Sequence, residues 1–268
     1  MQAIQAIIPL GNLNPPGHTI PTNHIYINNR PIGGPPVSGA PVFAPGDGTV
    51  QWVILQVGDS KVGVKAGAST YYLGHVRLDS SVVAGARITA GQRLGSTNLG
   101  VYGIDLGVFN EQVTVPFVNP ARYSGESLHG DKDGAFNHDV RDRLAGNWFL
   151  DGLAPSVSEN DIAWSQQLAF VFDNYDPSAI RVSIGGTLSI VGAFAVQPDA
   201  VNPRDVSVSS GKTTYRLLRA GLPGGKPEGQ VGLLIVQMIS GDRIRAETIA
   251  GESLSAAEFS SGAPEYVR

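Results

Sequence analysis

The chain contains no cysteine and only two methionines among its 268 residues. Without thiols there is no disulfide and no thiolate ligand, so any metal must be held by histidine, aspartate or glutamate. Charge is also sparse: charged residues make up 16%, and 19 Lys and Arg stand against 23 Asp and Glu for a net charge of −4. No cluster of basic residues offsets that balance, so the electrostatic footprint of a nucleic-acid binder is missing and no nucleic-acid partner is expected. Apolar runs fall short of the ~20 residues that a membrane-spanning helix needs, and no transmembrane segment is expected. Met1 to Leu10 lacks the basic start and long apolar middle of a signal peptide, so no signal peptide is expected in this chain. What the chain has in quantity is glycine (34), proline (18) and hydrophobic residues (42%). That mixture excludes wholesale disorder and favours a mainly β, turn-rich protein with a sizeable core. The length favours two domains.

Pattern along the chain supports this division. Asn14 to Ile27 carries His18 and His24 around a turn stiffened by Pro15 and Pro21, and His24 opens an apolar strand. Asn28 to Pro41, with Gly33-Gly34-Pro35-Pro36, reads as an exposed loop. Strands are predicted from Val42 around the Asp47-Gly48 turn to Leu55, at Val62 to Val64, from Thr70 to Val76, and from Ile104 to Phe109. Between the last two, Val83 to Gly95 is read as a meander of short strands. The stretch 119–160 reads as a packed connector. It contains a short helix over His138 to Gly146, capped by Asn137 or Asp139, and ends in Trp148, Phe149 and Leu150. Asp131 and Asp133 lack the further acids of a calcium loop and read as a polar turn, with His129 and His138 as surface residues. From 161 to 268 strands return: Leu168 to Phe172, a hairpin of Ile180 to Ile184 and Leu188 to Val191, and Val231 to Ile249 around Gly241-Asp242. This half holds no clustered histidines or paired acids and reads as a β sandwich or barrel.

The chemistry-bearing residues therefore lie in the first 118. His18, His24, His75 and Asp105 are three histidines and one acid in a β meander, enough for a zinc site with an open position for water. Asp105 on an otherwise apolar strand needs a cation or donors. Four pieces occur in a characteristic order: Val42 to Val50, Tyr72-Leu73-Gly74-His75-Val76, Val83 to Ser96, and Ile104 to Val108. Over residues 14 to 112 they resemble the lysostaphin-type zinc metallopeptidases, the glycyl-glycine endopeptidase and autolysin family. The resemblance implies an antiparallel β domain with a groove, export to the periplasm or cell exterior, and hydrolysis of peptide cross-links in bacterial peptidoglycan.

Carried over position by position, the resemblance makes His75 the catalytic base and Tyr72 beside it a substrate-binding residue. It places His24 where the family has a ligand aspartate, His18 near the family's ligand histidine, and Asp105 where the family has a second ligand histidine. The implied ligand set is His18, His24 and Asp105 for Zn2+, with the third ligand open between His18 and a group elsewhere. Gly103 stands where the family has a second catalytic histidine. Loss of one such group typically costs about 10²- to 10³-fold in rate. Two readings follow: a weakened zinc peptidase acting on wall or other short peptides, or an inactive relative that binds peptide or glycan.

Overall fold

The computed structural model describes residues 4, 6–29, 39–56, 59–98, 103–110, 117–118, 134–152, 165–221, 226–250 and 257–268. The loop expected at 28–41, His129 and the Asp131 to Asp133 turn lie wholly or mostly outside these residues. The chain divides into two compact units, one of Met1–Leu10 and Asn23–Asp133, the other of Gly11–Thr22 and Gly134–Arg268. Among the described residues no helix is long and apolar enough to cross a membrane.

Among the described residues the first unit has ten strands: β1 (Ala6–Ile8), β2 (Ile25–Asn28), β3 (Pro41–Phe43), β4 (Gly48–Ile54), β5 (Ser60–Ala66), β6 (Ser69–Leu78), β7 (Arg87–Ile88), β8 (Arg93–Thr97), β9 (Gly103–Asn110) and β10 (Phe117–Val118). They form one antiparallel sheet in the order β1-β2-β9-β6-β5-β4-β7, with β8 and β3 branching from β6 and β10 from β9. Period-two alternation decides which face is the core. Val62 and Val64 of β5, Tyr71 and Leu73 of β6, and Ile104 and Val108 of β9 all enter one cluster with Val50 and Leu94. The opposite face is left with Trp52, Gly63, Tyr72, Gly74, Asp105 and Gly107, which face one another across the registers of β4, β5, β6 and β9. Every strand expected from Val42 to Phe109 is present.

The second unit closes into an eight-stranded antiparallel barrel: β11 (Gly146–Leu150), β12 (Gln167–Phe172), β13 (Ile180–Ile184), β14 (Gly192–Val196), β15 (Lys212–Arg219), β16 (Glu228–Ser240), β17 (Arg243–Ile249) and β18 (Glu265–Val267). Its interior is filled by large side chains, among them Trp148, Phe170, Tyr215, Leu217 and Tyr266. A small barrel packed in this way has a solid core and no free sheet edges.

Four expectations are corrected here. The helix over 138–146 is a series of turns, because Asn137 and Asp139 capture backbone donors locally: Asn137 Oδ1 accepts from the Asp139 amide at 2.9 Å and Asp139 Oδ1 from the Asn147 amide at 2.8 Å. Gly146 to Leu150, expected inside the connector, is the first barrel strand and pairs with both β12 and β18. The hairpin partner of β13 is β14, not Leu188 to Val191. Ser189 and Ile190 are instead tied to Thr248, whose Oγ1 lies 2.9 Å from Ser189 Oγ and accepts from the Ile190 amide at 3.2 Å. His138 is also less exposed than expected: its ring lies 5.8 Å from that of Phe172 and Nε2 donates to the Ala135 carbonyl at 3.0 Å. Burial pushes its pKa down.

Candidate active site

The site grows from a break in the regularity of β6. From Ser69 to Gly74 this strand pairs with β9, and from Val76 to Leu78 it pairs with β8. His75 occupies the changeover, opposite a register shift in β5 between Ser60 and Val62. Its φ is 60°, left-handed for a residue with a side chain. A backbone in that region costs about 1–3 kcal/mol and persists only where its surroundings enforce it. Here the consequence is geometric: the imidazole lies over the same sheet face as Asp105, the register partner of neighbouring Gly74. Gly74 makes room, since a Cβ there would stand 3.1 Å from Asp105 Oδ2.

His75 lies between two carboxylates. Nδ1–H donates to Asp59 Oδ1 at 2.7 Å, and Nε2 is 3.2 Å from Asp105 Oδ2. The hydrogen bond to Asp105 is the largest influence on its pKa, which rises to about 9 against the opposing effect of burial, with Asp59 adding to the rise. Burial pushes the Asp105 carboxyl up, but the hydrogen bond from His75 and the charges of His24, His75 and Lys61 outweigh it and hold the group below the ordinary carboxylate range. His24, just before β2, brings Nε2 to 3.6 Å from the same Asp105 Oδ2. Its Nδ1 faces Asn23 Oδ1 at 3.1 Å, and the Tyr72 hydroxyl donates to that oxygen at 3.3 Å. An acceptor at Nδ1 selects the tautomer in which the proton sits there and Nε2 carries a lone pair.

His24, His75, Asp105 and Tyr72 thus come together on one face. His18 belongs to the Gly11–Thr22 segment of the second unit, where it exchanges backbone hydrogen bonds of 2.9 Å with Asn14. Two orienting residues, Asp59 and Asn23, escaped sequence reading because neither stands in a recognisable motif. Asn23 directly precedes a candidate ligand, the one local cue.

A metal in this place would meet suitable chemistry. Asp105 Oδ1 is buried and accepts no hydrogen bond among the described residues, a cost that a cation would relieve. The 3.6 Å from Asp105 Oδ2 to His24 Nε2 is close to the roughly 3.4 Å between ligands of a tetrahedral ion with bonds of about 2.1 Å. Among the described residues no three such side chains stand as a finished cage. His24 and Asp105 therefore fit as ligands, their side chains only 9% and 6% exposed. His75, 25% exposed, is the member that a substrate can reach.

Beside the cluster runs a floor of aromatic rings laid on glycines. Trp52 pairs with Gly63, Gly63 with Tyr72, and Tyr72 with Gly107. The ring centroids of Tyr72 lie 6.2 Å from His24 and 6.4 Å from Trp52. A Cβ on Gly107 would stand 2.0 Å from the Tyr72 ring. Gly107→Ala is therefore expected to lift Tyr72 off the sheet and cost about 1–3 kcal/mol by overpacking, read as a lower urea midpoint with an altered tyrosine near-ultraviolet signal. Gly103 is constrained differently: a Cβ there would fall 2.3 Å from the Ile27 carbonyl oxygen and 2.4 Å from Asn28 Oδ1. A histidine has no space at that position.

No protein-family model matches the chain, and no curated protein matches it. Among solved structures it is similar to a point mutant of the catalytic domain of the prophage-encoded M23 protein EnpA from Enterococcus faecalis, at 22% identity and a TM-score of 0.30 over 39% of this chain and 79% of that one. It is also similar to CbpA from L. salivarius REN, at 17% identity and a TM-score of 0.27 over 34% and 66%. Lysostaphin gives 12% identity and a TM-score of 0.32 over 92% and 80%. Similarities of this size assign no family.

Proposed function

We propose that the first unit is a zinc-dependent peptide hydrolase of modest rate, exported and acting on peptides of the peptidoglycan type. The observation that carries this reading is the approach of two oriented imidazoles to one buried carboxylate oxygen beside an aromatic floor. His24 and Asp105 are the ligands this unit offers, and His18 is the further ligand implied by the sequence. Bound zinc would polarise a scissile carbonyl and bring the pKa of a water toward ~7.

The remaining chemistry belongs to the chain. Asp59 holds the Nδ1 proton of His75, so Nε2, once Asp105 is engaged by the metal and no longer holds its proton, is the atom that would take a proton from the attacking water and return it to the leaving amine. Asn23 fixes the ring of His24. Tyr72 and Trp52 seat the peptide along the sheet, bringing its carbonyl toward His75. Because Gly103 stands where the family has a second catalytic histidine, charge on the tetrahedral intermediate would have one fewer stabiliser, which is the reason for a modest rate. The same gap favours the second reading, a peptide- or glycan-binding relative without catalysis.

Elemental analysis of the purified chain separates these readings. Near-stoichiometric zinc, lost in the His24→Ala, Asp105→Ala double variant, supports the hydrolase. His75→Ala is expected to keep its zinc while short-peptide cleavage drops about 10²- to 10⁴-fold, the usual contribution of a general base. Zinc lost from His75→Ala would make His75 a ligand instead, and His18→Ala tests the remaining ligand in the same way. A chain that takes up no zinc even after incubation with it would sink the hydrolase and leave the binder.

A further inference from the structure

Arg181, on β13 of the barrel, is nearly buried at 9% exposure, yet its guanidinium is not fully used by the protein. Its Nε donates to Asp173 Oδ2 at 2.8 Å. Asp173 is itself fixed, since Oδ1 accepts the backbone amides of Tyr175 and Asp176, each at 2.8 Å. The carboxylate thus sets the plane of the guanidinium. Among the described residues Asp173 is the side-chain partner of Arg181, through Nε alone, and Arg181 lines a cavity of about 390 Å³. A guanidinium has five N–H donors, and among the described residues Asp173 engages the one on Nε.

The rest of the cavity is consistent with one class of occupant. Lys226 adds a second cation, exposed to solvent, and Ala195 and Val196 supply a small apolar wall. Asp176 also lines it, but its Oδ1 is engaged by the backbone amide and hydroxyl of Ser178 at 3.1 and 2.6 Å. Two acids in the lining disfavour a doubly charged anion. A planar monoanion, by contrast, matches the parallel N–H pair of a guanidinium edge.

We infer that this cavity binds a carboxylate carrying a short apolar substituent, with Arg181 holding both oxygens and Lys226 at the rim. Such a group is supplied either by a small free acid or by the C-terminal end of a peptide. The site lies in the barrel and stands independently of the hydrolase reading.

The test is an NMR titration of the full chain at fixed ionic strength with acetate, propionate, N-acetylalanine and N-acetylalanine amide. Saturable shifts of the Ala195 and Val196 amides are expected with the three acids and not with the amide. Tighter binding of N-acetylalanine than of propionate assigns the site to peptide ends; equal or weaker binding assigns it to small acids. Arg181→Lys keeps the charge and loses the paired donors, and is expected to weaken binding about ten- to a hundredfold, the worth of a charge-assisted hydrogen bond. Lys226→Glu, at an exposed position that leaves the core untouched, is expected to weaken it as well. The proposal is overturned if no acid gives saturable shifts, if the amide binds equally, or if a folded Lys226→Glu chain binds acetate as well as the parent does.

Discussion

If the first unit is the proposed zinc hydrolase, Asp105→Asn is expected to remove zinc and peptide cleavage together while the sheet stays folded. The carboxamide has the same shape and retains an acceptor, so Gly74 and Tyr26, the register partners on either side, need not move. What disappears is the charge on which His24 and His75 converge. Loss of an outer-shell partner alone costs about 10- to 100-fold in metal affinity, so loss of a direct ligand should exceed that, measured by competition with a chromogenic chelator.

The same variant has a second signature in metal-free protein. The pKa of His75, raised to about 9 chiefly by its hydrogen bond to Asp105, should fall toward the ordinary histidine value when that carboxylate is neutralised, as followed by NMR. Because the folded pKa lies above the unfolded one, His75 stabilises the metal-free protein fully below about pH 6.5 and loses this contribution as pH rises through about 9. That slope should flatten in Asp105→Asn. Retention of zinc at parental affinity, with an unchanged His75 titration, would show that Asp105 does not organise the site.

How much of this was legible in the sequence follows from the range over which each feature is determined. Val62, Val64, Leu73 and Val108 announce their strands because alternation is local, and the same alternation left Asp105 on the face away from the core. His75 stands out in the sequence as a candidate, but its left-handed backbone does not, because that conformation arises where β6 exchanges β9 for β8. The glycines at 63 and 107 read as turn or bulge residues in isolation; their role as seats for Trp52 and Tyr72 depends on cross-strand register. The barrel was visible only as an alternative to a sandwich. Closure rests on β11 meeting β18, where Phe149 pairs with Val267 and Leu150 with Tyr266 across most of the second unit's sequence. No local signal reports such a pairing, so from sequence alone Trp148 reads as part of a connector.

Trp148 is where that hidden closure can be tested, because it is fully buried in the first strand of the barrel. Its ring packs with the core that includes Phe170, Tyr215 and Tyr266. Its indole N–H donates to the Leu144 carbonyl at 2.8 Å, and the Arg268 guanidinium lies 3.7 Å from the ring centroid. Trp148→Ala removes all three interactions and leaves a cavity in a closed interior that cannot collapse by sliding an edge strand inward. The expected cost is about 3–5 kcal/mol, a large share of the roughly 5–15 kcal/mol available to a whole domain. Trp148→Phe retains most of the apolar volume and gives up the hydrogen bond, so about 1–2 kcal/mol is expected there. Arg268→Ala removes the cation over the ring, worth about 0.5–2 kcal/mol, and also the bonds to the Val140 and Arg143 carbonyls at 3.1 and 2.7 Å. Hydrogen exchange resolved by strand is the suitable measurement, since two units need not unfold together. Protection should fall across β11, β12 and β18 together in Trp148→Ala, while β5, β6 and β9 of the first unit keep theirs. A loss confined to β11 would mean that the strand is an appendage on a seven-stranded sheet, and the closed barrel would have to be abandoned.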